Sequence, residues 1–141
     1  MRFLGLDLGI KSLGVAISDK TNTLSSPLRL ITFKKEDYES ALRELMPIIE
    51  EYNITAVVLG LPRNMDNSLG FASKRSMYFK DLLDSKGIKV YLEDERLTTV
   101  QALNIMKNNG MKKINKQDKT DILSAVLILE SFLKRKVYEE E

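Results

Sequence analysis

Apolar residues crowd the first seventeen positions of the chain. Phe3, Leu4, Leu6 and Leu8 form a near-continuous run, the pattern of a strand buried on both faces. Asp7 interrupts that run with a charge, Gly9 supplies freedom for a tight turn, and Leu13 to Ile17 reads as the returning strand. From Thr23 to Phe33, Leu28, Leu30 and Thr32 alternate with Arg29 and Ile31. This predicts a third strand entered through Pro27, which donates no amide proton and suits a strand start or edge. Between Glu36 and Tyr52 the period becomes helical: Tyr38, Leu42, Leu45, Ile49 and Tyr52 share one stripe. Pro47 lies inside it, where the lost backbone bond costs roughly 3 kcal/mol and predicts a kink. The β-branched run from Ile54 to Gly60 predicts a buried parallel strand, followed by a polar loop to Gly70 that carries Arg63 and Asp66. A second helix is expected from Phe71 to Lys86, with Tyr78, Leu82 and Leu83 inward and Gly87 closing it. Ile88 to Glu95 reads as a fifth strand, with Ile88, Val90 and Leu92 on one face and Lys89, Tyr91 and Glu93 on the other. Thr98 and Gln101 form a capping box for a third helix ending at Asn108-Asn109-Gly110. A basic loop follows to Lys119. The last helix is expected from Thr120 or Asp121 to Lys136, with Ile122, Ala125, Val126, Leu129, Phe132 and Leu133 on its apolar face.

The order β-β-β-α-β-α-β-α-α predicts an α/β fold: a mixed five-stranded sheet with helices on both faces, in a single domain over 1–141. Side chains alternate along a strand, so Gly5 and Asp7 share a face. The missing side chain at Gly5 lets another element approach beside the carboxylate, and Ser124 and Ala125 are small enough for the last helix to be that element. Sites in open α/β sheets gather at the rim formed by the C-terminal strand ends. Asp7 sits at such an end. The Asp66 loop and the Glu93-Asp94-Glu95 triplet join it if the fourth and fifth strands run parallel to the first. Asp121 can join from the last helix, although an acid at a helix start is also explained by the helix dipole alone.

Composition narrows the chemistry. The chain has no cysteine and no histidine. That excludes disulfides, thiolate metal sites, imidazole bases and Ser-His-Asp triads. Catalysis, if present, rests on carboxylates, Lys, Arg, Tyr or hydroxyls. Converging carboxylates must take up protons or share a hard cation. All-oxygen ligation suits Mg²⁺ or Mn²⁺, and two such ions about 3.5–4 Å apart serve phosphoryl transfer. The net charge is only +2, so any basic surface is local. Lys11, Arg63, Arg96, Lys112, Lys113, Lys116 and Lys119 are the candidates for nucleic-acid contact, each also explicable alone as a solvated surface charge. No apolar run approaches the ~20 residues of a membrane span, and no leader segment is visible, so a cytoplasmic location is expected.

Four ordered motifs carry a resemblance. They are Gly5-Leu6-Asp7-Leu8-Gly9 with Lys11 to Ala16, Gly60-Leu61-Pro62-Arg63-Asn64-Met65-Asp66, Asp94-Glu95-Arg96-Leu97-Thr98-Thr99-Val100-Gln101-Ala102, and Lys119-Thr120-Asp121-Ile122-Leu123-Ser124-Ala125-Val126. Together they resemble the YqgF/RuvX family of Holliday-junction-resolvase-like proteins, also described as pre-16S rRNA nucleases. The resemblance spans nearly the whole chain. It implies an RNase H-like fold and a divalent-metal phosphodiesterase, using Mg²⁺ or Mn²⁺ as a pair of ions. The implied task is trimming the 5′ end of precursor 16S ribosomal RNA, or, in the older proposal, resolving branched DNA. Asp7 carries over as the first metal ligand and Asp121 as the carboxylate of the last helix. The second acid falls in Asp94-Glu95, with Glu95 favoured. Ile10 departs from the Thr or Arg expected there, which touches a local turn or phosphate contact rather than the metal ligands. The expected partner is nucleic acid, bound by a monomer or a weak homodimer. Two other classes compete. Actin-like and sugar kinases share the Asp-x-Gly hairpin, but enclose ATP with a second lobe for which 141 residues leave no room. Non-catalytic binding modules of similar fold lack the acids that stand here at Asp7, Glu95 and Asp121.

Overall fold

Strands β1 (Arg2–Leu8) and β2 (Ser12–Ser18) pair antiparallel through a tight turn that the Gly9 amide closes on the Ser12 carbonyl at 2.7 Å. The computed structural model describes residues 2–62, 70–94 and 116–140, and of 116–121 and 137–140 only the backbone. β3 (Ser25–Thr32) continues the meander. In the turn before it, the Asp19 carboxylate accepts bonds from the Thr21 hydroxyl and from the Thr23 and Leu24 amides. These donors, the Thr21 hydroxyl foremost, hold its pKa at about 2.

Helix α1 (Tyr38–Glu51) is capped by Asp37, whose carboxylate accepts from the Ser40 amide at 3.2 Å. After it come β4 (Ile54–Leu61), α2 (Phe71–Ser85), β5 (Lys89–Asp94) and α3 (Lys116–Glu140). The sheet order is β3-β2-β1-β4-β5. β4 lies parallel to both β1 and β5, so the C-terminal ends of β1, β4 and β5 share one rim.

Alternation divides the core into two layers. Leu4, Leu6 and Leu8 of β1, with Val15 and Leu59, pack under α1 and α2. Phe3, Ala16, Ala56 and Val58 face the other way, against Ala125, Ile128, Leu129, Phe132 and Leu133 of α3. Each fully buried large side chain contributes about 1.5–3 kcal/mol of burial. Among the described residues no helix is long and apolar enough to cross a membrane.

Several expectations need correction. Tyr78 does not point inward; it is 47% exposed, and Phe79 is buried in its place with Ser73, Ser76 and Leu83. Neighbouring helical residues are about 100° apart, so burying Phe79 turns Tyr78 outward. In α1, Ile48 rather than Ile49 completes the fully buried stripe. α3 begins at Lys116 rather than near Asp121, so Lys116 and Lys119 belong to helix, not loop. Apolar periodicity marks only where a buried face starts, and lysine and glutamine extend a helix ahead of that point readily. The predicted third helix and residues 110–115 of the basic loop lie outside the described residues.

Candidate active site

Asp7 is half-buried, near the C-terminal end of the central strand β1. Its partner across β2 is Gly14. On the other side Leu6 pairs with Leu59, so Gly60 follows in the row of Asp7, and Gly60 pairs with Glu93 on β5. Glycine on both flanking strands leaves the carboxylate uncrowded by neighbouring side chains in its row.

α3 crosses this face of the sheet obliquely. Near its middle the Val126 carbonyl accepts the Ser25 hydroxyl of β3 at 2.9 Å. Over β1 it comes closest at Gly5: a Cβ there would lie 2.6 Å from the Ala125 carbonyl oxygen and 2.7 Å from Leu129 Cβ. Only the absence of a side chain admits that approach. Further along, Phe132 meets Phe3 edge-on at 5.6 Å and Tyr91 at 4.9 Å. Asp121 belongs to α3 four residues, about one turn, ahead of Ala125. The helix carrying Asp121 is therefore seated two residues from Asp7 along the same face of β1.

Glu93 takes a role the sequence did not disclose. It is 6% exposed and shares a face with Asp7. Its Oε1 accepts Arg135 Nη1 at 2.7 Å and the Ser131 hydroxyl at 3.3 Å. Its buried Oε2 has no hydrogen-bond partner among the described residues. The signal was the alternation that set Glu93 beside Tyr91; the partner, forty-two residues on, carried none. Arg135→Met is expected to destabilise the fold by about 1–3 kcal/mol, because it strands a buried carboxylate. Adding Glu93→Leu is expected to recover most of the loss. Urea midpoints of the two variants check this, and an Arg135→Met midpoint equal to that of the parent would refute it.

The remaining candidates divide by location. Lys11 is exposed in the β1–β2 turn, where its carbonyl accepts the Phe33 amide at 2.9 Å. Asp94 is exposed at the end of β5, paired with Leu61; alternation places it on the face of Leu92, opposite Asp7. Glu95, Arg63, Arg96, Lys112 and Lys113 lie outside the described residues. Asp121, Lys116 and Lys119 are placed by their helix backbone alone. Among the described residues no cluster of three or more potential ligands forms.

An antiparallel meander continued by two parallel strands, with one helix laid across the face of a strand-end aspartate, is the RNase H-like fold. Two solved structures share it. Thermus thermophilus RuvC in complex with Holliday junction substrate aligns with a TM-score of 0.61 at 16% identity, covering 97% of this chain and 96% of that one. The fowlpox virus resolvase in complex with Holliday junction DNA aligns with a TM-score of 0.62 at 20% identity, covering 97% and 99%. At these identities the likeness is one of fold. The family model described as RuvX, Holliday junction resolvase, matches residues 1–135, and the chain belongs to that family. A relative from Aster yellows witches'-broom phytoplasma is 42% identical over 132 residues, 92% of this chain and 87% of its own length; it is named "Putative pre-16S rRNA nuclease".

Proposed function

We propose that the protein is a divalent-metal-dependent endonuclease that hydrolyses phosphodiester bonds of structured nucleic acid, and that its task is processing the 5′ end of precursor 16S ribosomal RNA in the cytoplasm. The observation that carries this reading is the contact of α3 with Gly5, which seats the helix of Asp121 beside the strand of Asp7. The name borne by the phytoplasma relative supports the ribosomal substrate over branched DNA.

Asp7, Glu95 and Asp121 are the ligands in this reading. The donor set fits a hard cation: it is all oxygen, in a chain without histidine or cysteine. Glu95 is preferred to Asp94 because Asp94, the last residue of β5, lies on the face of Leu92, opposite Asp7. A bound Mg²⁺ or Mn²⁺ pair supplies an activated water and stabilises charge on the leaving oxygen. The chain's own groups do the rest. The carboxylates hold the attacking water in line with the scissile bond and accept its proton. Lys11, in the turn next to Asp7, neutralises the phosphate, and Arg96 assists it. Arg63, Lys112, Lys113, Lys116 and Lys119 hold the flanking backbone. One such site suffices for trimming an RNA end, so a monomer or weak homodimer serves.

The test is a cleavage assay on a precursor rRNA fragment and a four-way DNA junction, with Mg²⁺ and with excess EDTA. Cleavage of the RNA at its 5′ flank, lost with EDTA, is expected. Paired symmetric nicks in the junction with the RNA left intact would replace the substrate. An undiminished rate after exhaustive chelation would reject the metal.

A further inference from the structure

Helix α2 begins at the rim where β4 ends, the rim that also holds the end of β1. Its buried side is Ser73, Ser76, Phe79 and Leu83. Its outer side carries Phe71, Lys74 and Tyr78, which the i, i+3, i+7 spacing sets on one face. Phe71 is 86% exposed, and Tyr78 is the other strongly exposed ring of this helix. The Lys74 ammonium stands 5.6 Å from the centre of the Phe71 ring, with no ion pair to a carboxylate among the described residues. A single exposed aromatic residue is ordinary. A ring, a cation and a second ring on one face, with no acid in the first helical turn, is the composition of a surface that binds stacked bases.

The Tyr78 ring lies 6.0 Å from that of Tyr38, a buried ring at the start of α1, which lies 5.8 Å from that of the half-buried Phe33, so packed aromatics tie the platform to the strand ends. The Phe33 amide bonds the carbonyl of Lys11 in the turn that follows Asp7. Away from the rim the character changes: beyond Tyr78 come Asp81 and the Lys80–Asp84 ion pair at 2.7 Å. The favourable stretch therefore spans two helical turns, roughly 10 Å.

We propose that Phe71, Lys74 and Tyr78 form a stacking platform for unpaired nucleotides of the substrate, on the helical layer opposite the one that covers Asp7 but starting from the same rim of the sheet; this rests on the nuclease reading above. A duplex keeps its base faces stacked internally and offers no ring to Phe71. An unpaired strand offers one at every nucleotide, with a phosphate in reach of Lys74. The platform thus makes the enzyme prefer a single-stranded flank, whatever its sequence.

The test is fluorescence anisotropy in EDTA, so that no cleavage occurs, using a short labelled single strand and the blunt duplex of the same sequence, as RNA and as DNA. Phe71→Ala is expected to weaken single-strand binding at least about five-fold, with duplex binding unchanged within about two-fold. Its melting temperature should match the parent, because the ring makes little packing contact. Phe71→Trp should restore binding. Lys74→Ala should lower the salt slope by about 0.7 on the single strand. Single-strand affinity unaltered by Phe71→Ala, or equal losses on single strand and duplex, would overturn the platform while leaving cleavage by the parent, and with it the nuclease reading, standing. A parent protein that neither binds nor cleaves nucleic acid would overturn both.

Discussion

Asp7→Asn is expected to lower the single-turnover cleavage rate by about a thousandfold or more, with nucleic-acid affinity and fold retained. Asparagine keeps the shape of the side chain but replaces one anionic oxygen with an amide that repels a cation. In the proposed site, that removes the ligand on the central strand, the one around which the other two are arranged. The fold should tolerate the change. Asp7 is half-buried, and its neighbour across β2 is a glycine, so no apolar packing depends on the carboxylate. Relieving repulsion between Asp7 and the other acids of the proposed site offsets part of any lost hydrogen bonding. Thermal melting and anisotropy on the variant separate catalysis from folding and binding. A variant that cleaves at the parental rate removes Asp7 from the reaction and leaves a protein that resembles resolvases in fold alone.

Gly5→Ala should be the most damaging single-methyl change. In an ordinary strand this substitution is favourable by roughly 0.5–1 kcal/mol, because glycine loses more backbone freedom on folding. Here the new methyl would stand 2.6 Å from a backbone oxygen of α3 and 2.7 Å from Leu129 Cβ, both well inside contact distance. Neither atom is the end of a flexible side chain, so the helix itself must move. Overpacking of this kind costs about 1–3 kcal/mol. The effect on cleavage should be larger than the effect on stability. Asp121 rides on α3 one turn from the clash, and a displacement near 1 Å in a catalytic group can cost about a hundredfold. Urea unfolding together with the cleavage rate per folded molecule tests both parts. Full activity with an unchanged midpoint would show that α3 does not need the space at Gly5.

Much of this arrangement was readable before any coordinates. Apolar alternation placed every described strand within two residues of its observed ends, and the missing side chain at Gly5 marked the close approach of the last helix. The reading failed where a choice depended on contacts between distant segments. Tyr78 and Phe79 are adjacent aromatics, and only the packing of α2 against the sheet decides which is covered. Asp121 was expected at a helix start because nothing local in Lys116 to Thr120 demands or forbids helix.

By itself the sequence determined the chemistry this protein can use and the strand that organises it. With no imidazole or thiol, oxygen donors are what remains for metal binding, and the period-2 pattern put Asp7 on the same face as the gap at Gly5. Tertiary structure alone decided what becomes of the acid at residue 93. A carboxylate on a strand reads the same whether it meets water, a cation or a guanidinium. Glu93 meets Arg135 because α3 crosses the sheet from β3 to β5, packing Ala125 and Leu129 on Gly5 and Phe132 on Phe3 along the way.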